Sequence, residues 1–159
     1  MPKRTVLVCG TFDILHPGHL SFFENAKKYG SELFVLVARD SNIRKIKRRK
    51  PFFNERERLE MVSSLAIVDF AFLGDRMDFF KGVASANPSV LVLGFDQRNS
   101  AGAMLGIKSN ASAGEIESVF AGKGLKMKVV LLERGLNKGK YSSSAIKNAL
   151  RKGRGVLSG

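Results

Sequence analysis

Val6-Leu7-Val8-Cys9 is a short, continuous apolar run that ends in Gly10, and soon afterwards Pro17 opens a stretch in which Leu20, Phe22, Phe23 and Ala26 recur at helical spacing. A strand that is apolar at every position needs cover on both faces, whereas a half-exposed strand would alternate. Proline is tolerated in the first turn of a helix because the N–H it lacks has no partner there, and Gly30 supplies a stop. A buried strand, a tight turn and a helix so early in the chain commit it to an α/β architecture, in which helices shield a mostly parallel sheet.

The rest of the chain repeats the pattern. Leu33 to Ala38 reads as a second buried strand, with Asp40 just past its end. Glu55 to Leu65 has helical periodicity through Leu59, Val62 and Leu65, with Asn54 as its cap. Val68 to Leu73 is a third apolar run, Met77 to Ala86 a short helix closed by Asn87-Pro88, and Val90 to Leu93 a fourth strand before Gly94. Asn99 to Ser112, rich in Gly, Ser, Asn and Ala and without a period, reads as a mobile excursion. Glu115 to Ala121 is predicted helical, Met127 to Leu132 a last strand and Ser142 to Leu150 a last helix.

A chain of 159 residues with 44% hydrophobic content fills one core but is short for two domains. The expectation is a single Rossmann-like domain over 1–152, a parallel sheet with helices on both faces, followed by a flexible tail over 153–159. Open α/β sheets bind ligands at the carboxyl ends of their strands. That rule sets Gly10 to Asp13, Asp40 and Gly94 to Arg98 along one edge.

Charge narrows the ligand class. The formal net charge is +13, and Arg39, Arg44, Lys45, Lys47, Arg48, Arg49 and Lys50 are opposed within their segment only by Asp40. A second, looser basic group runs through Arg134, Lys138, Lys140, Lys147, Arg151, Lys152 and Arg154. Such clusters concentrate a polyanion or a phosphorylated small molecule, unless they are simply a solvated surface. The one cysteine, Cys9, can form no internal disulfide, which points to the cytoplasm. No apolar run approaches the roughly 20 residues needed to cross a bilayer, and no cleavage pattern follows Met1. Neither membrane insertion nor secretion is expected.

His16 and His19, the only histidines, lie three residues apart at the start of the helix that Pro17 opens. Free backbone N–H groups at such a terminus attract a phosphate, and an imidazole adds a hydrogen bond or a charge to the same oxygens. A purely structural histidine pair is one alternative. A zinc site is another, but two histidines without nearby cysteines leave its shell short. The triple-glycine dinucleotide fingerprint and the P-loop spacing are both absent.

Gly10-Thr11-Phe12-Asp13, His16-Pro17-Gly18-His19, Asp40 after the second strand and Tyr141-Ser142-Ser143-Ser144-Ala145-Ile146-Lys147 together resemble the cytidylyltransferase-like family of nucleotidyltransferases. Within it, Val37-Ala38-Arg39-Asp40, Arg49-Lys50-Pro51 and Leu93-Gly94-Phe95-Asp96-Gln97 are most similar to the archaeal FAD synthases, which transfer AMP from ATP to FMN. The resemblance implies that Gly10, Thr11, Phe12 and Gly18 hold the triphosphate, and that His16 and His19 stabilise charge at the reacting phosphorus. It implies that Asp13 orients the site or helps to hold magnesium, and that Lys45 or Lys47, on a basic loop, folds over the phosphates as a mobile clamp. Asp40, Gly94, Asp96, Gln97 and Arg98 then belong to the nucleotide pocket, and Ser142, Ser143 and Ser144 present hydroxyls and a helix N-terminus to the triphosphate. Relatives are commonly dimers, so the resemblance also implies a homodimer.

Two departures bear on the substrate. In the cytidylyltransferases the late motif opens on arginine-threonine, where this chain has Lys138-Gly139-Lys140, and a tryptophan after the fourth strand is replaced by the stretch containing Gln97. Both disfavour CTP. The expected activity is therefore attack of FMN on ATP to give FAD and pyrophosphate, with Mg²⁺ held largely by the substrate. A CTP-dependent glycerol-3-phosphate cytidylyltransferase is the alternative. A basic nucleic-acid-binding protein that kept only the fold is the third reading, disfavoured because a polyanion binder needs cations and not this histidine spacing.

Overall fold

The computed structural model describes residues 2–133 and 141–152. The strands are β1 (Thr5–Gly10), β2 (Glu32–Val37), β3 (Phe70–Leu73), β4 (Val90–Leu93) and β5 (Lys128–Leu131), all parallel and ordered β3-β2-β1-β4-β5. The helices are α1 (Pro17–Lys27), α2 (Asp40–Lys47), α3 (Glu55–Ser63), α4 (Phe79–Ala86), α5 (Gln97–Leu105), α6 (Ala113–Gly122) and α7 (Ser143–Arg151). This is the Rossmann-like α/β fold that the apolar runs require.

Alternation along β1 builds two separate cores. Val6 and Val8 pack with Phe12, Phe23, Ala26 and Val62, so α1 and α3 cover one face. Leu7 and Cys9 pack with Leu36, Val83, Ala101, Ile116 and Phe120, so α4, α5 and α6 cover the other. The strand order reverses between β1 and β4, and at such a switch point the flanking loops splay apart to leave a crevice.

Two segments differ from their sequence reading. Residues 40–47, expected as part of a basic loop, form α2: Ile43 is buried and anchors the turn, while Arg48 ends it in the left-handed region at φ 50°. Asn99 to Ser112, expected as a mobile excursion, begins inside α5, which runs over Gln97–Leu105. Its cause is a close approach rather than an apolar stripe: a Cβ on Gly102 would lie 2.8 Å from the Lys108 carbonyl oxygen. The chain after Gly106 folds back onto the helix, with the Ile107 N–H donating to the Gly102 carbonyl at 2.9 Å. A smaller shift is at α4, which begins at Phe79 and not Met77, because Asp78 caps it by accepting from the Phe80 N–H. The predicted tail at 153–159, Lys138-Gly139-Lys140 and the basic residues Arg134 and Arg154 lie outside the described residues.

Candidate active site

The crevice is a cleft of about 1160 Å³ at the carboxyl ends of the strands. Gly10, Thr11, Phe12 and Asp13 enter it from the end of β1, and His16, Gly18 and His19 from the start of α1. Lys45 and Lys47 reach it from α2, Gly94, Asp96 and Gln97 from the end of β4, and Ser142, Ser143 and Ser144 from the start of α7. Segments far apart in sequence thus meet at one place because parallel strands all finish on the same edge.

The turn after β1 is built by Phe12, which sits at φ 49°, a region side chains rarely adopt, while its ring is buried against Phe23. Such a conformation costs about 1–3 kcal/mol and persists only where packing over-determines it. Burial of the ring provides that packing and turns the backbone at the mouth of α1.

His16 is the N-cap of α1, and its Nδ1 accepts from the Gly18 N–H at 3.1 Å. A neutral imidazole that accepts at Nδ1 carries its proton on Nε2 and is a donor there. A Cβ at position 18 would meet the His16 ring at 2.8 Å, so any other residue there would displace that ring from its place. The His19 ring stacks on that of His16 with centroids 3.8 Å apart and meets Phe12 edge-on at 5.4 Å. Its Nδ1 is buried and has no hydrogen-bond partner among the described residues. Burial first, and then repulsion from a protonated His16 and from Lys47, push the His19 pKa down to about 3, and burial lowers that of His16 too. Both shifts favour the neutral imidazole near pH 7. The two rings offer hydrogen bonds, and take on charge only if an anion stabilises it.

Around them stand the cations. Lys47 Nζ donates to Thr11 Oγ1 at 3.0 Å, and burial together with Arg49 lowers its pKa. Arg49 Nη1 donates to Ser144 Oγ at 3.0 Å, tying the segment after α2 to the start of α7. Ser142 caps α7 by accepting from the Ala145 N–H, and Ser143 Oγ donates to the Ile14 carbonyl. The serine hydroxyls therefore hold the helix N-terminus against the histidine turn.

Four residues of the expected site are engaged by partners within the protein. Asp13 is buried, and its oxygens accept from the Phe52 and Phe53 N–H groups and from Lys147. Burial raises its pKa, but those donors outweigh it and hold the carboxyl below its ordinary range. Asp13 is thus a clasp joining β1, the approach to α3 and α7, with its lone pairs spent on protein donors rather than a metal. Asp40 does not line the cleft, because Arg58 Nη2 takes its carboxylate at 2.7 Å. Arg98 borders the pocket that adjoins the cleft at Gly94, Phe95 and Glu133, and its guanidinium donates to the carbonyls of Ala111 at 2.9 Å and Asn110 at 3.1 Å. Gln97 lines the cleft, but its amide joins two strands, accepting from the Gly94 N–H and donating to the Cys9 carbonyl.

Arg58 was not singled out by sequence. It is fully buried and donates to the carbonyls of Thr11, Ala38 and Phe53 as well as to Asp40, gathering the ends of β1 and β2 onto α3. The available signal was position: Arg58 lies four residues before Val62 and so on the same buried face of α3. Lys147 and Arg49 were visible only as members of motifs or charge runs.

The cytidylyltransferase-like family model matches residues 7–149. The FAD synthase of Methanohalophilus mahii is 54% identical over 92 residues, which are 58% of this chain and 63% of that protein. The FAD synthase of Methanococcoides burtonii is 41% identical over 128 residues, 80% of each chain. Among solved structures, a lipopolysaccharide core biosynthesis protein from Thermoplasma volcanium superposes with a TM-score of 0.71 at 35% identity, covering 83% of this chain and 98% of that one. Thermotoga maritima TmcAL bound with alpha-thio ATP superposes at 0.61 and 13% identity over 94% of this chain and 51% of its own, a likeness of fold.

Proposed function

The chain belongs to the cytidylyltransferase-like family, and from that premise we propose that it transfers AMP from ATP to FMN, releasing pyrophosphate and forming FAD. The observation that carries the acceptor is the 41% identity to the M. burtonii FAD synthase over 80% of both chains. The cleft supports the reaction type. An oxygen of the FMN phosphate bonds to the α-phosphorus of ATP as the bond to the pyrophosphate oxygen breaks, and catalysis consists mainly of positioning and charge stabilisation. The start of α1, with His16 and His19, and the start of α7 are N-terminal ends of helices facing one space, with Lys45, Lys47 and Arg49 beside them. A phosphate monoester is already anionic and needs no general base, which suits a site whose histidines favour the neutral form and whose one buried carboxylate is paired.

A divalent cation, Mg²⁺, supplies further neutralisation of the phosphates when bound. Among the described residues no group of three His, Cys, Asp or Glu side chains is arranged to hold one, and Asp13 is occupied. The donor set therefore suits an ion carried on the triphosphate oxygens, as magnesium commonly is.

The test is pyrophosphate release from ATP or CTP with FMN or glycerol 3-phosphate as acceptor, with FAD identified by mobility. ATP with FMN should give the highest kcat/KM, because a base-edge mismatch leaves pocket groups unpaired. If CTP with glycerol 3-phosphate is the better pair, the cytidylyltransferase reading replaces this one.

A further inference from the structure

α7 has little of its own to hold it in place. At nine residues it is shorter than the roughly 12–15 at which an isolated helix becomes stable, and none of its side chains is buried. With so little apolar cover, its position depends on polar contacts to the turn after β1 and to the segment after α2. Ser143 Oγ donates to the Ile14 carbonyl at 3.3 Å, Ser144 Oγ accepts from Arg49 Nη1 at 3.0 Å, and Lys147 Nζ pairs with Asp13 Oδ2. Ser143 and Lys147 are four residues apart, so one face of α7 grips the consecutive residues Asp13 and Ile14. The Lys147–Asp13 contact is the only ion pair of α7 among the described residues, and its carboxylate end is shielded from solvent.

That carboxylate is also where the basic segment ends. Asp13 accepts from the Phe52 N–H and the Phe53 N–H, each at 2.9 Å, and these residues close the connection that begins at Arg48, where α2 breaks in the left-handed region. One side chain thus fixes both the far end of the stretch that carries Arg49 and the face of α7 that carries Ser143. Arg49 and Ser144 tie the same two elements directly, but a phosphate is a stronger partner for a guanidinium than a neutral hydroxyl is. Once Arg49 turns to a triphosphate that tie is gone, and the route through Asp13 remains. Lys147 itself does not line the cleft, whereas Asp13 does.

We propose that Lys147 is a positioning residue for nucleotidyl transfer: through Asp13 it locks α7 to the end of the basic segment, so that the N-terminus of α7 and the cations Lys47 and Arg49 close on the triphosphate as one unit. The proposal rests on the nucleotidyl-transfer reading above and is independent of which acceptor is used. Its physical core is that a buried carboxylate deprived of its cation no longer holds a neighbouring helix, whereas the two backbone donors still hold the basic segment. Loss of Lys147 therefore frees α7 and leaves the segment with Lys47 and Arg49 to close alone. The triphosphate then loses the donors of the α7 terminus, and the acceptor loses nothing.

The experiment uses the full chain with Lys147→Met, which keeps the apolar stem and deletes the charge, with Asp13→Asn, and with both. Pyrophosphate release is measured with ATP and FMN. Lys147→Met should lower kcat/KM for ATP about tenfold, within the range over which members of one network couple, while the KM for FMN stays within about twofold. In the Asp13→Asn background the same substitution should cost less than about twofold, because its route is already cut. An equal cost in both backgrounds would overturn the proposal by making Lys147 act on the substrate directly, and so would an unchanged kcat/KM in Lys147→Met. Amide exchange with a non-hydrolysable ATP analogue and magnesium needs neither turnover nor the Asp13 variant. In the parent, protection should rise together over 48–53 and over 143–150; in Lys147→Met it should rise over 48–53 alone. Joint protection retained in that variant would likewise overturn the coupling. A parent that binds the analogue but releases no pyrophosphate would remove the nucleotidyl-transfer reading, and the exchange result would still decide whether α7 and the basic segment move as one.

Discussion

His19 is held without its charge, and its environment explains both its use and its liability. The ring is packed between His16 and Phe12 with Lys47 nearby, so a proton is excluded until an anion arrives. The consequence for stability has a definite sign. The unfolded chain takes up a proton near pH 6.5 and the folded one only near pH 3, so the unfolded state binds more protons throughout that interval. Folding stability should therefore fall on acidification from about 6.5 toward 3, and be indifferent to this group above 6.5. We expect His19→Gln to flatten the acid limb of a plot of Tm against pH and to lower kcat by about 10²–10³, the usual loss for one donor at a developing charge. An acid limb as steep as in the parent would remove the buried neutral histidine from the account, and unchanged turnover would remove its catalytic role. At this scale the sequence was informative about identity and poor on partners. His16, Gly18 and His19 were readable because their spacing is tied to one helix start. Arg58, Asp13 and Asp40 were not, because which acceptor a buried charge finds depends on segments far away in the chain.

Elements were legible wherever one periodicity dominated. The four-residue apolar runs of β1 and β4 are too short for a buried helix and are closed by Gly10 and Gly94, so they read as strands covered on both faces, and the Asn54 capping box fixes the start of α3 locally. α2 and α5 escaped because their reasons lie outside themselves. In α2 a single buried Ile43 is surrounded by charges, and in α5 the packing depends on a residue without a side chain, Gly102. The reassignment of residues 40–47 from loop to helix also sharpens the clamp. What can close is the end of α2 and the connection after it, where Arg48 breaks the helix in the left-handed region and Lys47 and Arg49 each hold one neutral hydroxyl. A triphosphate offers both cations a stronger partner than Thr11 or Ser144 does. Amide exchange should slow over 44–53 on adding ATP and magnesium, by about tenfold or more, while the centre of β1 stays unchanged. Equal exchange with and without nucleotide would leave these cations as fixed surface charges and end the clamp reading.

At the scale of the whole molecule the question is what a net charge of +13 accomplishes. Three of the cations that line the cleft, Lys45, Lys47 and Arg49, sit where helices α1 and α7 also direct their positive ends. Fields of one sign focused in a cleft raise encounter rates with anions by 10–10³, and both proposed substrates are anions. Steering of this kind is a matter of distance and is screened by salt. Raising KCl from about 0.1 M to about 1 M shortens the Debye length from about 10 Å to about 3 Å. We therefore expect kcat/KM for both ATP and FMN to fall about tenfold or more over that range, with kcat nearly constant because the bound phosphates are in direct contact with their partners. Riboflavin, which has the ring but no phosphate, supplies the control. As a competitor of FMN it should bind no more weakly at high salt, since apolar contacts are not screened. Duplex DNA decides the remaining possibility. A protein built to bind a polyanion would be inhibited by it at physiological salt, with log affinity falling linearly in log salt by about 0.9 for each phosphate neutralised. Potent competition by DNA would make the charge an interface for nucleic acid. Rates flat in salt, with no effect of DNA, would make it a solvated surface. A fall in kcat/KM without DNA competition identifies it as a funnel for small phosphorylated substrates.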